Sequence, residues 1–255
     1  MKVPISVGVR LSAEQCPKTQ EKEEDMSHVP YASAIGSLMY AMVYTRPDIA
    51  HAVGVLSRFM SKPGKQHWII MKRVFRYLRG ISDYGLCYQG RPGLDRVLDI
   101  HGFVDAVWVR DLDQRRSTSG YVLNLFGGAF SWISKRWFVV ALSTTKAEYM
   151  TATHASKEAI WLLRLSSSMG LVQGAIRIDC DSQSEIFLAK NPAYHSKTKH
   201  IDIQYHFVRD MIEDKKVLPV KVDTLKNTTD ALTKFVSSEK FSWCRETMSV
   251  ARMDK

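Results

Sequence analysis

Residues 97–134, VLDIHGFVDAVWVRDLDQRRSTSGYVLNLFGGAFSWIS, decide the fold. Within them VLDIHGFVDAVWV, GYVLNLFGG and AFSWIS are short and rich in β-branched and aromatic residues. Gly, Ser and basic turns separate them, the texture of a strand followed by a meander. RWFVVALS carries the same texture onward. The chain then alternates. TTKAEYMTATHASKEAIWLLRLSSSMG reads as a long helix ended by Gly170, AIRIDCD as a strand, SQSEIFLAK as a short helix and TKHIDIQYHFVRDMIEDK as a longer one. VLPVKVD reads as a last strand, followed by helices over NTTDALTKF and SSEKFSWCRETM. That order predicts an α/β architecture, a mixed sheet with helices around it.

Upstream the periodicity is helical. YASAIGSLMYAMVYT, then PDIAHAVGVLSRFMS started by Pro47, then KQHWIIMKRVFRYLR closed by Gly80, make a small all-α unit over 31–92. The first 30 residues are polar, include the charge run Glu21-Lys22-Glu23-Glu24-Asp25, and read as a tail or linker. The α/β unit is expected over 97–248.

The 255 residues, 45% hydrophobic and 24% charged, exclude wholesale disorder and fibrous repeats. A net charge of +10 favours a polyanionic partner, nucleic acid or an anionic membrane surface. No apolar run approaches the ~18 residues of a membrane span. The first 25 residues lack the apolar core of a secretory signal, so an intracellular protein is expected. Cys16, Cys87, Cys180 and Cys244 lie far apart with no Cys-x-x-Cys pair, which predicts free thiols. The basic excess is concentrated: 1–96 holds fourteen basic and eight acidic residues, 97–255 twenty-two and eighteen. Between Asp48 and Asp83 there is no acid. Lys72, Arg76 and Arg79 recur there at helical spacing on one face, with Ile70, Val74 and Tyr77 on another. Stacked like charges repel, so that face is either plainly solvated or a phosphate contact.

Four acids recur at strand ends and helix starts, where ligand sites form in α/β sheets. Asp105 lies inside an apolar strand, an expensive place for an unpaired carboxylate. Glu148 opens the long helix, Asp181 follows the strand ending Asp179-Cys180, and Asp230 opens a helix after the last strand. Glu148, three residues after Thr145, also fits a capping box, and Asp181 and Asp230 also fit helix N-termini. Asp105 is the hardest to explain architecturally. Clustered carboxylates persist only with a cation among them, and hard Mg2+ prefers oxygen ligands.

The segments VPYASAIGSLMYAMVYTRPDIAHAVGVLSRFMSKPGKQHW, GFVDAVWVRDLDQRRSTSGYV, FSWISKR, VALSTTKAEYM, KEAIWLLRL, IDCDSQSEIFLAKNP, YHSKTKHIDIQYHFVRDMIED and NTTDALTKF together resemble the C-terminal part of the Pol polyprotein of copia-type LTR retrotransposons. The likeness runs from about Leu11 to Met248. It implies a reverse transcriptase tail, connection-like, followed by a ribonuclease H domain with a mixed five-stranded sheet flanked by helices. It implies hydrolysis of the RNA strand of RNA–DNA hybrids with two Mg2+ ions, Mn2+ able to substitute. By the same resemblance Asp105, Glu148, Asp181 and Asp230 match the four metal-binding carboxylates of that chemistry. Partners would be the hybrid and other parts of the polyprotein, in the cytoplasm, within a virus-like particle, or in the nucleus. Arg115, Arg116, Ser117 and Thr118, after the first strand, are candidate hybrid contacts or an exposed turn.

The chain departs from that family in two places. Val107 stands where a second aspartate is usual, and Lys146 where a glutamate is usual. Neither is one of the four carboxylates, but both keep open a decayed copy that binds nucleic acid without cutting it. His195, His200 and His206 lie in or beside one helix, and His200 and His206 read as helix-surface or packing residues rather than catalytic ones. No Tyr-x-Asp-Asp polymerase signature, integrase His-His-Cys-Cys pattern or protease Asp-Ser/Thr-Gly motif occurs. Polymerisation, integration and proteolysis are therefore not expected, and Met1 is expected to open a truncated reading frame within an element.

Overall fold

The computed structural model describes residues 2–89, 98–107, 113, 116–137, 144–181 and 206–253, with only the backbone of Thr145, Lys146 and His206. Helices α1 (Gln20–Ser27), α2 (Tyr31–Tyr44), α3 (Ala50–Leu56) and α4 (Lys65–Gly80) form the N-terminal part. Pro47 starts a 3-10 turn that leads into α3. On α4 the buried residues His67, Ile70, Met71, Val74 and Tyr77 recur every three or four positions, so one stripe faces the core. They pack with Tyr31, Ile35 and Leu38 of α2 and with Val53 and Leu56 of α3. Beneath them Asp48, 1% exposed, accepts hydrogen bonds from Arg46 Nε at 2.9 Å and from the Tyr77 hydroxyl at 2.5 Å. Its buried charge is thereby paired.

The first 30 residues are not a free tail. Ile5 is 3% exposed inside the same core, with Val3, Val9 and Leu11 packed against it. Apolar residues at alternate positions make this segment cover the helices. The polar run that follows disguises it in the sequence. Gln15 seals the contact: a Cβ on Gly64, at the start of α4, would lie 1.9 Å from the Gln15 carbonyl oxygen.

After β1 (Tyr84–Leu86) come β2 (Ile100–Val107), β3 (Thr118–Leu125) and β4 (Gly128–Arg136). Then follow α5 (Thr144–Ser168), β5 (Ile176–Cys180), α6 (His206–Glu213) and β6 (Val217–Lys221). The C-terminal elements are α7 (Asp230–Thr233), α8 (Ser238–Thr247) and β7 (Val250–Arg252). Five strands form one sheet in the order β4-β3-β2-β5-β6. The β2–β3 and β3–β4 pairs are antiparallel, and β2–β5 and β5–β6 are parallel. This is the expected mixed five-stranded sheet flanked by helices. The meander expected from 97–134 accounts for the antiparallel half, and the helical crossovers for the parallel half. RWFVVALS enters β4 only as far as Arg136. Residues 138–143, the SQSEIFLAK helix and the start of the next lie outside the described residues.

Side-chain alternation assigns the two faces of the sheet. Ile100 and Val104 of β2, with Tyr121 and Leu123 of β3, pack under Ala155, Ala159 and Ile160 of α5. Phe103 and Val122 point the other way, to Leu232 of α7, Met248 and Val250. Asp105 has the parity of Phe103, so it faces α7. The NTTDALTKF helix is shorter than the sequence predicts, spanning only Asp230–Thr233. Asn227, 0% exposed, spends its side chain on the sheet, donating to the Val104 carbonyl at 2.8 Å. The turn it fixes delays the helix.

The two units meet across the C-terminal helices. Ala231, Phe241 and Cys244 belong to the core of the N-terminal helices, and β7 pairs antiparallel with β1. All four cysteines are free thiols, Cys180 and Cys244 buried.

Candidate metal centre and nucleic-acid surface

Asp105 sits near the C-terminal end of the central strand, opposite Gly120 of β3. Gly120 lets α7 lie directly on the sheet: a Cβ there would come 2.8 Å from Thr233 Cγ2 and 2.9 Å from Leu232 Cβ. Ser134 of β4 holds the same helix, donating to the Leu232 carbonyl at 2.6 Å. Thr233 thereby donates a short hydrogen bond to Asp105 Oδ2. On the neighbouring strand Val104 pairs in parallel with Cys180, so Asp181, next in the chain, is in step with Asp105.

A lysine holds the carboxylates together. Lys234 Nζ lies 2.5 Å from Asp230 Oδ1 and 3.6 Å from Asp105 Oδ2, and Lys240 Nζ lies 3.5 Å from Asp230 Oδ2. Asp105 is 7% and Asp230 4% exposed. Burial pushes the Asp105 carboxyl up from the usual range. Lys234 and the Thr233 hydroxyl oppose that rise, and the charges of Asp230 and Asp181 add to it. Burial would by itself lower Lys234, but Asp105 foremost, with Asp230 and Asp181, raises it, so the ammonium stays charged.

Asp105, Asp181 and Asp230 thus share one electrostatic site. Glu148 is half-buried in the first turns of α5, one residue past Ala147, which packs on Ala106 of β2. Among the described residues no group of three or more His, Cys, Asp or Glu side chains is assembled to hold a metal ion. The donor set nonetheless suits a hard cation, because carboxylate oxygens converge from two elements on one positive charge, at present the Lys234 ammonium. The sequence reading missed Lys234, Lys240 and Thr233. The spacing of Asp230 and Lys234, one helical turn, was the available signal.

On α4, Lys72, Arg76 and Arg79 are exposed, opposite the buried stripe, and Lys72 Nζ lies 5.9 Å from the Trp68 ring centroid. The loop reading needs correction. Ser117 and Thr118 are 1% and 4% exposed because Thr118 already opens β3 and the Ser117 carbonyl accepts from the Trp137 amide at 3.1 Å. Neither presents its side chain to a ligand. Arg116 is half-buried, and Arg115, like His195 and His200, lies outside the described residues. A cleft of about 500 Å³, lined by Lys18, Arg58, Lys62, Arg136 and Asp113, adds basic groups that no motif announced.

No protein-family model matches the chain. It is 49% identical over 243 residues to the retrovirus-related Pol polyprotein from transposon TNT 1-94 of Nicotiana tabacum, covering 95% of this chain and 18% of that one. It is 36% identical over 239 residues to the Pol polyprotein from transposon RE2 of Arabidopsis thaliana, covering 93% and 16%. A secreted RxLR effector protein of Plasmopara viticola is 51% identical over 137 residues, covering 54% of this chain and 94% of its own. The chain therefore spans less than a fifth of the length of the Pol polyproteins it matches. A ribonuclease H1 solved with an RNA/DNA hybrid aligns with 53% of this chain and 94% of its own, at 15% identity and a TM-score of 0.36. So loose a likeness carries no argument, and the fold rests on the strand order. Among the described residues no helix is long and apolar enough to cross a membrane. With the Pol relatives aligned along more than nine-tenths of its length, the chain belongs to the retrovirus-related Pol polyproteins of copia-type transposons.

Proposed function

We propose that the chain is a ribonuclease H, hydrolysing the RNA strand of RNA–DNA hybrids with divalent metal. The observation that carries the reading is Asp105 on the central strand facing Asp230 across one cation, with Asp181 just past the end of the neighbouring strand. Two buried like charges facing each other at the end of the central strand are costly as architecture and useful as ligands. Asp105, Asp181, Asp230 and Glu148 would hold two Mg2+ ions, Mn2+ substituting. When bound, the metal supplies an activated water and a charge sink for the leaving 3′ oxygen.

The remaining work falls to the chain itself. Thr233 fixes the Asp105 carboxylate through its hydrogen bond. Gly120 and Ser134 hold α7, and so Asp230, against the sheet. Lys72, Arg76 and Arg79, with Arg116, supply phosphate contacts that orient the hybrid but carry no sequence information. Selection for the RNA strand rests on its 2′-hydroxyls in the shallow minor groove.

The test is cleavage of an end-labelled hybrid in Mg2+ or Mn2+ by the wild type, Asp105→Asn and Asp181→Asn. Metal-dependent cutting by the wild type, lost in both variants, supports the enzyme. A second reading, a nucleic-acid-binding relic, is favoured by the lysine seated among the carboxylates. Hybrid binding without cutting would select it, and neither binding nor cutting at low salt would sink both.

A further inference from the structure

Lys234 is placed unlike an ordinary surface lysine. Its side chain is 24% exposed, and its ammonium reaches Asp230 Oδ1 at 2.5 Å and Asp105 Oδ2 at 3.6 Å. Those two carboxylates come from elements more than a hundred residues apart, and both side chains are only 6% exposed. A pair of buried carboxylates repels unless a cation lies between them, and without metal that cation must come from the chain. Lys240 reaches only the outer oxygen of Asp230, at 3.5 Å, and its ammonium also lies 4.3 Å from the Trp243 ring centroid. Lys234 is therefore the group that spans both acids.

We propose that Lys234 is a tethered counter-cation, occupying the divalent site of the metal-free protein and swinging out when the metal binds. This rests on the ribonuclease reading and adds a positioning role to it. The lysine keeps Asp105 and Asp230 facing each other before loading, so that the site exists without metal. A divalent cation held by the same two carboxylates repels the ammonium and competes with it for their charge. Metal entry thus expels Lys234 on its flexible stem, with a charge free to meet a phosphate. Hybrid affinity and metal loading are thereby coupled through one residue, each favouring the other.

The experiment is Mn2+ titration by calorimetry on the full chain without nucleic acid, for the wild type and Lys234→Met. Removing a competing unit charge is expected to tighten Mn2+ binding by roughly tenfold or more. The metal-free variant is expected to melt lower than the wild type, and Mn2+ to close that gap. Should the variant fail to fold, acetylation of the wild type gives an independent readout. Labelling of Lys234 is expected to rise when Mn2+ is added while exposed Lys226 stays constant. Equal Mn2+ affinity in both proteins, or Lys234 labelling unmoved at saturating Mn2+, overturns the proposal and leaves the ribonuclease reading standing. Binding by Lys234→Met alone supports the lysine's occupancy and removes the ribonuclease reading for the native chain. No Mn2+ binding by either folded protein overturns both.

Discussion

Gly120→Ala tests how the site is held without touching any carboxylate. The added methyl would meet Thr233 Cγ2 at 2.8 Å, Leu232 Cβ at 2.9 Å and the Ile133 carbonyl oxygen at 3.5 Å. None of these is the far end of a flexible side chain. Leu232 and Thr233 are 0% exposed, and α7 is tied by Thr233 to Asp105 and by its Leu232 carbonyl to Ser134. Relief therefore requires α7 to lift from the sheet as a unit. Overpacking of this kind costs about 1–3 kcal/mol. For a chain of this length that lowers Tm by roughly 2–12 °C. The same lift draws Thr233 and Asp230 away from Asp105, so Mn2+ affinity is expected to fall as well. Gly36→Ala is the control, since nothing lies within 4 Å of a Cβ there and Gly36 is exposed within α2. Helix propensity makes that change stabilising by about 1 kcal/mol. Urea denaturation followed by circular dichroism reads both. A Gly120→Ala protein as stable as the wild type, or both variants moving in one direction, would refute the close packing of α7 on β3.

Asp48→Asn leaves the buried Arg46 guanidinium without its charge partner and is expected to cost about 3 kcal/mol or more in urea denaturation. A loss under about 1 kcal/mol would mean that Arg46 finds water instead. Replacing Lys72, Arg76 and Arg79 together by Gln is expected to leave Tm unchanged and flatten the log–log salt slope of hybrid binding by about three. An unaltered slope removes that face of α4 from the interface. Burial pushes the Cys244 thiol up to about 12, so an aromatic disulfide reagent is expected to modify half-buried Cys87 first and Cys244 only on unfolding. Equal rates in the folded protein contradict the placement of α8. A chain starting at residue 97 exposes the faces of Phe241 and Cys244 that pack on the helices, and is expected to lose its cooperative thermal transition. A sharp transition at the wild-type Tm would make the α/β unit independent.

The sheet was legible where alternation and turns coincide. Phe103, Val104 and Asp105 declare the two faces of β2, and the Gly127-Gly128 corner declares the hairpin between β3 and β4. Asp105 was legible for the complementary reason, a charge inside an apolar strand. What stayed hidden depends on long-range partners. Ser117 and Thr118 look like an exposed basic turn, because nothing local says that β3 begins at Thr118. Residues 1–11 look like a tail because their apolar alternation is short and borders a charge run, yet α4 needs that cover. Lys234 carries no motif of its own meaning. Its role follows only from Asp105 arriving beside it across 129 positions of chain.

The arrangement of α7 explains why a helical segment accompanies this sheet. Asp230 stands over the end of β2, where a four-residue helix cannot hold a carboxylate by itself. Its two apolar neighbours divide the task. Leu232 packs on Phe103 and Val122 of the sheet, while Ala231 joins the core of α2, α3 and α4. Phe241 and Cys244 of α8 enter the same helical core, anchoring the chain just beyond α7. The position of Asp230 is therefore set by both units together. Loosening the helical core at Phe241 would move a candidate ligand relative to Asp105 without altering either residue, which makes the N-terminal helices part of the site's scaffold.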